Sequence, residues 1–210
     1  MSGKTVESVR SAPDLAYFVQ WRPWLWCSPV AHALEFLGDL QGKRVLEIGG
    51  RSGHMTSLLA LRGAHVTMLE RGDLTQAAEE TARWGVSDRV RLIRTSGGFD
   101  AIAGETFDAI VTKSVLWSIE HLAEFLDQLE PHLAQGGKVA FVENYRGGGL
   151  LQWLRRNIVR RHRFEYESRY FGITPEQIGL IEKRVGGLTV RRRRYFVYEI
   201  FGHKKPSRPA

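Results

Sequence analysis

The sequence predicts one α/β domain: a doubly wound, mostly parallel sheet of seven strands with an antiparallel last strand, plus a helical cap. From Lys43 onward, short β-rich runs alternate with helical patterns. The runs are almost continuously apolar, as strands covered by helices on both faces are. The final two runs lie too close together for a parallel crossover, so they pair antiparallel or form one bent ribbon.

A helical segment is predicted first, over residues 14–38, where aromatic and apolar residues are dense. Pro23 and Pro29 are expected to break or restart this helix, because proline removes a backbone donor and clashes with the preceding turn. Gly38 fits the C-terminal stop of the segment.

The strands and helices of the core follow in regular order. Five buried strands are predicted at 44–48, 65–70, 89–94, 108–113 and 138–143. Between them, residues 73–84 are expected to form a helix capped by Asp73, and residues 120–134 form another with one apolar face. The closing strands are predicted at 188–193 and 195–202.

The chain of 210 residues has no internal repeat and is predicted to be a single domain over 1–210. Its predicted parts are an N-terminal helical cap at 1–40, a ligand-binding core at 41–145, a cap or lid insert at 146–187 and terminal strands at 188–203. Cys27 is the only cysteine. An intrachain disulfide and a zinc site built on several thiolates are therefore excluded.

The formal net charge is +7, and arginines concentrate at 146–169 and at 191–194. Such a basic face is either solvated or attracts an anionic partner. The basic insert could also lie on a membrane surface, but a lid with a solvated outer face is favoured. The sequence contains no apolar run of the roughly 20 residues that span a bilayer. Its first residues lack the apolar core of a secretion signal, so a cytoplasmic protein is predicted.

The segment VLEIGGRSGHMTSLLA at 45–60 turns from a predicted strand into a helix through a glycine-rich bend. Glycines there let a ligand approach the backbone at the carboxyl ends of the strands. A dinucleotide fingerprint starting at Gly49 would need glycine at two positions that hold Arg51 and His54, and no Walker sequence is present. The acid Glu47 on the strand suits a cationic ligand better than a phosphate.

Glu70 ends the next predicted strand, about 20 residues after the bend, where a carboxylate can accept hydrogen bonds from ribose hydroxyls. An acid at this point excludes a 2′-phosphate. It does not by itself separate NAD from other adenosine-containing ligands.

Three segments resemble class I, S-adenosylmethionine-dependent methyltransferases of the small-molecule, type 11-like kind. VLEIGGRSG is similar to their first motif, HVTMLE to their second, and residues 107–144 to the region from the fourth to the fifth strand. The resemblance covers about residues 40–145 and implies a Rossmann-like fold with S-adenosylmethionine as methyl donor. Arg51 stands where the family usually has its second glycine, with Gly50 in the adjacent place.

The resemblance also implies which residues hold the donor. Its methionine and ribose part would be surrounded by Glu47, Gly49, Gly50 and Gly53. Arg51 would reach the methionine carboxylate, and Tyr17 and Trp21 of the N-terminal helix would close over the methionine tail. Its adenosine would be held through the ribose diol by Glu70, beside the base by Arg71, and at the base edge by Thr95 and Ser96. Its sulfonium would pass near Lys113 and Ser114. No metal ligand set is predicted.

The reaction implied is an in-line displacement, in which much of the catalysis comes from holding acceptor and methyl group at near-attack distance. An oxygen or nitrogen acceptor can need a base, and histidine is the usual one. His121 is the candidate base, with His54, His32 and Glu143 as further possibilities. The acceptor pocket is expected to use residues 15–36 and 144–187, which lie outside the common core.

The predicted function is methyl transfer to an oxygen or nitrogen of a small acceptor, aromatic or anionic in character. Two alternatives stay open: an RNA or protein methyltransferase, suggested by the arginines, and a non-catalytic cofactor-binding homologue, suggested by Arg51. Nucleic acid is disfavoured as a partner. The segment after the fourth strand lacks the asparagine-proline-proline-aromatic motif that base-methylating relatives often carry.

Overall fold

The computed structural model describes residues 12–20, 23–144, 172–185, 188–193 and 197–204. Two helices, α1 (Ala12–Val19) and α2 (Pro23–Leu37), come first. Pro23 opens α2, as a proline in the first turn of a helix can. The predicted break at Pro29 is wrong, because this buried proline lies inside α2. Packing of the apolar α2 face on the sheet offsets the one hydrogen bond that proline removes.

The core alternates strands and helices as predicted. Its elements are β1 (Arg44–Ile48), α3 (His54–Leu61), β2 (His65–Glu70), α4 (Thr75–Arg83), β3 (Val90–Arg94), β4 (Phe107–Lys113), α5 (Leu122–Leu129) and β5 (Leu133–Asn144). They are followed by α6 (Pro175–Arg184), β6 (Thr189–Arg193) and β7 (Val197–His203). In α6 the side chains of Thr174 and Gln177 each accept from the other's backbone N–H, which closes a capping box.

The seven described strands form one sheet in the order β3-β2-β1-β4-β5-β7-β6. The first five strands of the chain pair parallel, whereas β7 pairs antiparallel with both β5 and β6. This confirms the predicted fold class, including the antiparallel pair at the end. The carboxyl ends of β1 to β5 meet at one edge of the sheet, where α/β folds bind ligands.

Several boundaries differ from the sequence prediction. The helix predicted over 120–134 is too long, because α5 ends at Leu129 and residues from Leu133 onward pair in the sheet. β5 begins at Leu133 instead of residue 138, and its register against β4 jumps from Leu133 to Lys138. Gly136 has a φ of 71° within this irregular stretch. The glycines therefore lie inside the strand and distort it, whereas the prediction started the strand after them. The predicted cap at Asp73 is wrong, because α4 starts at Thr75 and Asp73 accepts a hydrogen bond from the Thr75 hydroxyl.

Helices cover both faces of the sheet. One apolar core joins α1, α2 and α3 to one face, and a second joins α5 and α6 to the other. Lys138 at the amino edge of the sheet donates to the carbonyls of Phe36 and Leu37, which caps the C-terminus of α2. Because the C-terminus of α2 lies at the amino edge, α2 runs antiparallel to β5. The first turn of α2 therefore lies at the carboxyl edge of the sheet.

Residues 145–171, which hold most of the predicted insert and its arginines, lie outside the described residues. The division of the chain into cap, core, insert and terminal strands remains a prediction. Within the described ranges, no helix is both long and apolar enough to cross a membrane.

Candidate functional site

An open cavity of about 910 Å³ lies at the carboxyl edge of the sheet, over the ends of β1, β2, β3 and β4. Residues predicted from sequence contribute much of its lining: Gly49, Arg51, Glu70, Arg71, Thr95, Ser96, Ser114 and His121. Other predicted residues are not part of the lining: Tyr17, Glu47, Gly50, Gly53 and Lys113. Trp21 lies outside the described residues.

Glu70 is fixed at the centre of this edge by backbone amides. Its Oε2 accepts from the N–H of Arg51 at 2.8 Å, and its Oε1 accepts from Arg71 at 2.7 Å and Gly72 at 2.9 Å. An ionised carboxylate offers about four lone-pair directions, and these three bonds leave one for a ligand. Glu70 therefore both ties the β1 turn to the end of β2 and presents an acceptor to the cavity.

The turn after β1 places three successive odd-numbered residues in the left-handed region. Gly49, Arg51 and Gly53 have φ values of 73°, 47° and 77°. Arg51 thus has the left-handed backbone conformation that favours glycine, whereas Gly50 beside it does not have positive φ. A non-glycine residue at positive φ is strained and is often found at functional sites.

Gly50 has a separate steric role in the same turn. A Cβ on this residue would clash with the Met68 sulfur and lie 3.0 Å from the Glu47 carboxyl carbon. The turn therefore needs glycine at 50 for space. The atoms around Gly50 belong to Met68 and Glu47. The predicted contact of Gly50 with the cofactor therefore stays a prediction.

Replacing Arg51 with glycine is expected to raise the free energy of unfolding by about 1 kcal/mol, because the left-handed strain of a non-glycine residue is removed. Urea unfolding measures this change. The matched control is Arg71→Gly, at an exposed arginine of the same cavity that does not have positive φ; it should destabilise slightly. Equal losses for both variants would contradict the strain at Arg51.

Beneath the cavity edge lie two buried carboxylates, one on each face of the sheet. Glu47 on β1 is 3% exposed and its Oε2 accepts from the Thr56 hydroxyl at 2.5 Å. Burial raises the pKa of Glu47 to about 7, although the Thr56 hydrogen bond and the charge of Lys113 oppose this. Glu47 can therefore carry or release a proton near neutral pH.

Glu143 on β5 braces the segment that follows β4. Its Oε1 accepts from the Thr112 hydroxyl at 2.8 Å and from the Val115 N–H at 3.1 Å, while its Oε2 has no hydrogen-bond partner among the residues that the structure describes. Burial raises the pKa of this carboxyl to about 7. Ser114, at the turn itself, has a φ of 60° and accepts from the Asn144 side chain.

The Glu143→Gln variant is expected to be more stable than the parent chain at pH 8, and this difference should shrink to about 1 kcal/mol at pH 5. A raised pKa means that the folded state holds the proton more tightly, so the parent loses stability as pH rises from 4.5 to about 7. The full loss is on the order of 3 kcal/mol, and glutamine avoids it because it cannot ionise. Chemical unfolding at both pH values tests this, and a difference independent of pH would contradict it.

The N-terminal helix is held to α3 and α4 by polar contacts away from the cavity. The Tyr17 hydroxyl donates to Glu80, which also accepts from the Trp84 indole N–H at 2.8 Å. Gln20 bonds the His54 ring, and the Ser52 hydroxyl contacts both of these side chains. Gln20 thus contacts Ser52 of the glycine-rich turn, and the Tyr17 ring lies 5.2 Å from the His54 ring at the start of α3. The predicted contact of Tyr17 with the donor stays a prediction.

Sequence reasoning missed the far wall of the cavity. The segment after β4 and the first turns of α5 contribute Ser118, Ile119, Glu124, Phe125 and Gln128, together with Gly97 and Gly98 from the β3 loop. His121 belongs to this wall, as the N-cap of α5. The apolar stripe in the predicted helix over 120–134 identified the buried side of that helix. It did not indicate which polar residues of the helix face the cavity.

The known proteins that this chain resembles are methyltransferases. A family model described as "Methyltransferase domain" matches residues 18–172. Among curated proteins, the "Protein-L-isoaspartate O-methyltransferase" of Methylorubrum populi is 33% identical over 145 residues, covering 68% of this chain and 63% of the relative. The protein of the same name from Stenotrophomonas maltophilia is 31% identical over 137 residues, covering 64% of this chain and 56% of the relative. The chain thus spans less than two thirds of these relatives.

Among solved structures, the chain is similar to the N-methyltransferase NodS from Bradyrhizobium japonicum WM9 in complex with S-adenosyl-l-homocysteine. The TM-score is 0.64 with 19% identity, over 95% of this chain and 96% of that chain. At this identity the likeness supports the fold.

Proposed function

Because the chain belongs to the class I, S-adenosylmethionine-dependent methyltransferases, we propose that it transfers the donor's methyl group to an oxygen or nitrogen of a small metabolite, aromatic or anionic in character. The observation that carries the proposal is the cavity with Glu70 fixed at its centre. S-adenosylmethionine, when bound, supplies a methyl group already activated by its sulfonium.

The residues of the cavity fit an adenosine-containing ligand. The free lone pair of Glu70 can accept from a ribose hydroxyl, which a carboxylate at a strand end is suited to do. Arg71, Thr95 and Ser96 line the cavity beside it and would surround the adenine. The side chain of Arg51 is available for the methionine carboxylate, because its backbone alone makes the bond to Glu70.

Towards β4, the site changes from exposed polar groups to buried charge. Ser114 lines the cavity, and Lys113 and Glu47 lie below it on the α2 side of the sheet. A carboxylate under the turn favours a cationic ligand at this end. We therefore place the sulfonium over the ends of β1 and β4, and the acceptor beside it.

Donor binding and acceptor class are tested in sequence. Calorimetry with S-adenosylhomocysteine is expected to give saturable binding, and absence of binding at millimolar ligand would overturn the donor site. Transfer of radiolabelled methyl groups to pools of phenols, amines and carboxylic acids then identifies the acceptor. Binding without transfer to any pool would favour the non-catalytic homologue.

A protein acceptor is the second candidate, and the names of the two curated relatives favour it. A synthetic peptide with one L-isoaspartyl residue, paired with the same peptide carrying L-aspartate, separates the two candidates. Base-labile methyl incorporation into the isoaspartyl peptide alone would replace the small-metabolite proposal with this one.

A further inference from the structure

Ser114 follows the last residue of β4 and lines the cavity. Its N–H donates to the Val142 carbonyl at 2.8 Å, and its φ of 60° lies in the left-handed region. A non-glycine residue held at positive φ is often found at a functional site. The Ser114 side chain therefore lies at a fixed place at the end of β4, where the sulfonium and the acceptor are proposed to meet.

Two protein groups donate to the oxygen of the Ser114 hydroxyl. One is the side-chain amide of Asn144 on β5, and the other is the Trp117 indole N–H at 3.1 Å, which also donates to the Ser114 carbonyl at 2.9 Å. A serine hydroxyl has two acceptor lone pairs and one hydrogen, so both lone pairs are occupied. Among the residues that the structure describes, this hydrogen meets no acceptor. Ser114 can therefore act only as a hydrogen-bond donor towards a ligand in the cavity.

Other hydroxyls of the cavity lining show the contrast. The Thr95 hydroxyl donates to the Gly98 carbonyl at 2.7 Å, and the Ser118 hydroxyl donates to the Val115 carbonyl at 2.7 Å. In both residues the hydrogen is already held by the backbone. Ser114 differs from them because its hydrogen is left for a ligand.

A hydroxyl that can only donate selects the chemistry of the atom beside it. A neutral amine nitrogen has a single lone pair, which cannot both accept the Ser114 hydrogen and attack the methyl carbon. An oxyanion has several lone pairs, so one can accept this hydrogen while another attacks. Hydrogen bonds to an ionised acceptor are also about twice as strong as neutral ones. The Ser114 hydroxyl therefore favours a negatively charged oxygen over an amine.

The charges around the end of β4 are compatible with an anion there. The Nζ of Lys113 lies 5.0 Å from the centre of the Trp26 ring, a contact that favours the ammonium form. Burial raises the pKa values of Glu47 and Glu143 to about 7, so at neutral pH these carboxyls carry only part of their negative charge. The sulfonium of the bound donor would add a positive charge beside the acceptor.

On the basis of the proposed function, we propose that the methyl acceptor is an oxyanion, a carboxylate or a phenolate, whose oxygen accepts the Ser114 hydroxyl hydrogen. The same oxygen forms a bond to the methyl carbon, the methyl–sulfur bond breaks, and its electron pair stays on sulfur. The negative charge of the acceptor and the positive charge of the sulfonium cancel, and no proton moves. The products are a methyl ester or ether and a neutral thioether, and the reaction needs no base from the protein.

Transfer of radiolabel from S-adenosylmethionine to the pools of phenols, amines and carboxylic acids tests the acceptor class. We expect label in the carboxylic acids, where base removes it from a methyl ester, or in the phenols, where a methyl ether keeps it. Label in the isoaspartyl peptide alone would support the oxyanion and contradict the small metabolite. Label in the amines alone overturns this inference and leaves the proposed function standing. Binding of S-adenosylhomocysteine without label in any of these acceptors overturns the proposed function, and this inference with it.

The Ser114→Ala variant separates contact with the acceptor from a structural role. It should raise KM for the labelled acceptor about 10- to 100-fold. Because the hydrogen bond is strongest to the anion before transfer, kcat and the affinity for S-adenosylhomocysteine should change less than about threefold. Asn144→Asp should raise KM similarly, since a carboxylate would accept the hydroxyl hydrogen.

The matched control is Ser118→Ala, because the Ser118 hydrogen is already held by the Val115 carbonyl. This variant should raise KM less than about threefold. Weaker binding of S-adenosylhomocysteine to Ser114→Ala, with KM for the acceptor unchanged, would assign the hydroxyl to the donor and overturn the proposal. An equal rise in KM for Ser118→Ala would also overturn it.

Discussion

Replacing Glu70 with alanine is expected to weaken S-adenosylhomocysteine binding by about 100-fold. The variant loses the carboxylate that would accept from the ribose. It also leaves the N–H groups of Arg51, Arg71 and Gly72 without their acceptor, so the turn after β1 keeps only its backbone bond from Gly49 to Leu69 as a described link to β2. Titration calorimetry measures the loss, and circular dichroism confirms that the fold is retained.

A neighbouring acid supplies the control for this result. Asp73 lines the same cavity, but among the described residues it accepts a hydrogen bond only from the Thr75 hydroxyl, so Asp73→Ala should change affinity less than about threefold. Glu70→Gln should resemble Glu70→Ala, because an amide nitrogen would face backbone donors. Affinity within threefold of the parent chain in Glu70→Ala would show that the ligand does not use this carboxylate.

The Gly53→Ala variant is expected to lose about 3 kcal/mol of unfolding free energy. Gly53 has a φ of 77°, and a Cβ there would lie 2.7 Å from the Cα of Ala77 on α4. The backbone of a helix cannot move aside as a flexible side chain can. The cost therefore combines left-handed strain with separation of α3 from α4, and chemical denaturation measures their sum.

Gly85 isolates the two contributions, because it has a φ of 65° but a Cβ there would meet nothing within 4 Å. Gly85→Ala should cost about 1 kcal/mol, from strain alone. Similar losses for the two variants would mean that the contact between Gly53 and Ala77 contributes no stability.

The sheet could be predicted because the sequence features that specify its strands are local. The apolar runs at β1, β2 and β4 and the short connection between β6 and β7 fix strand number and direction from sequence spacing alone. The boundary errors arise where tertiary packing overrides local preference. Pro29 stays helical within a buried face of α2, and β5 extends backward through Gly136 and Gly137 by pairing with β4.

Site residues could be predicted from sequence where their position at the end of a strand places them at the cavity. Glu70 and Ser114 follow strands whose carboxyl ends share one edge, and both line the cavity. The alternation of side chains also puts Lys113 on the α2 face with Val111, so its absence from the lining could have been anticipated. Arg51 lies midway between Gly49 and Gly53. This spacing likewise identifies it as the residue that adopts the left-handed conformation favoured by glycine.

Other features depend on contacts between distant segments. The amides of Arg71 and Gly72 are local to Glu70, but the amide of Arg51 reaches it only because β1 and β2 lie side by side. The bond from Tyr17 to Glu80 joins residues 63 positions apart, and no sequence pattern marks that pair. The assignment of Tyr17 to the donor rests on resemblance and stays a prediction, while its hydroxyl holds the N-terminal helix to α4.

A crystal structure of the chain with S-adenosylhomocysteine would test the donor site most directly. We expect the adenosine in the cavity at the carboxyl edge, with a ribose hydroxyl within hydrogen-bond distance of Glu70 and the thioether sulfur over the ends of β1 and β4. Density for the ligand elsewhere, with the Glu70 carboxylate making no contact to it, would contradict the assignment of this cavity as the methyl-donor site.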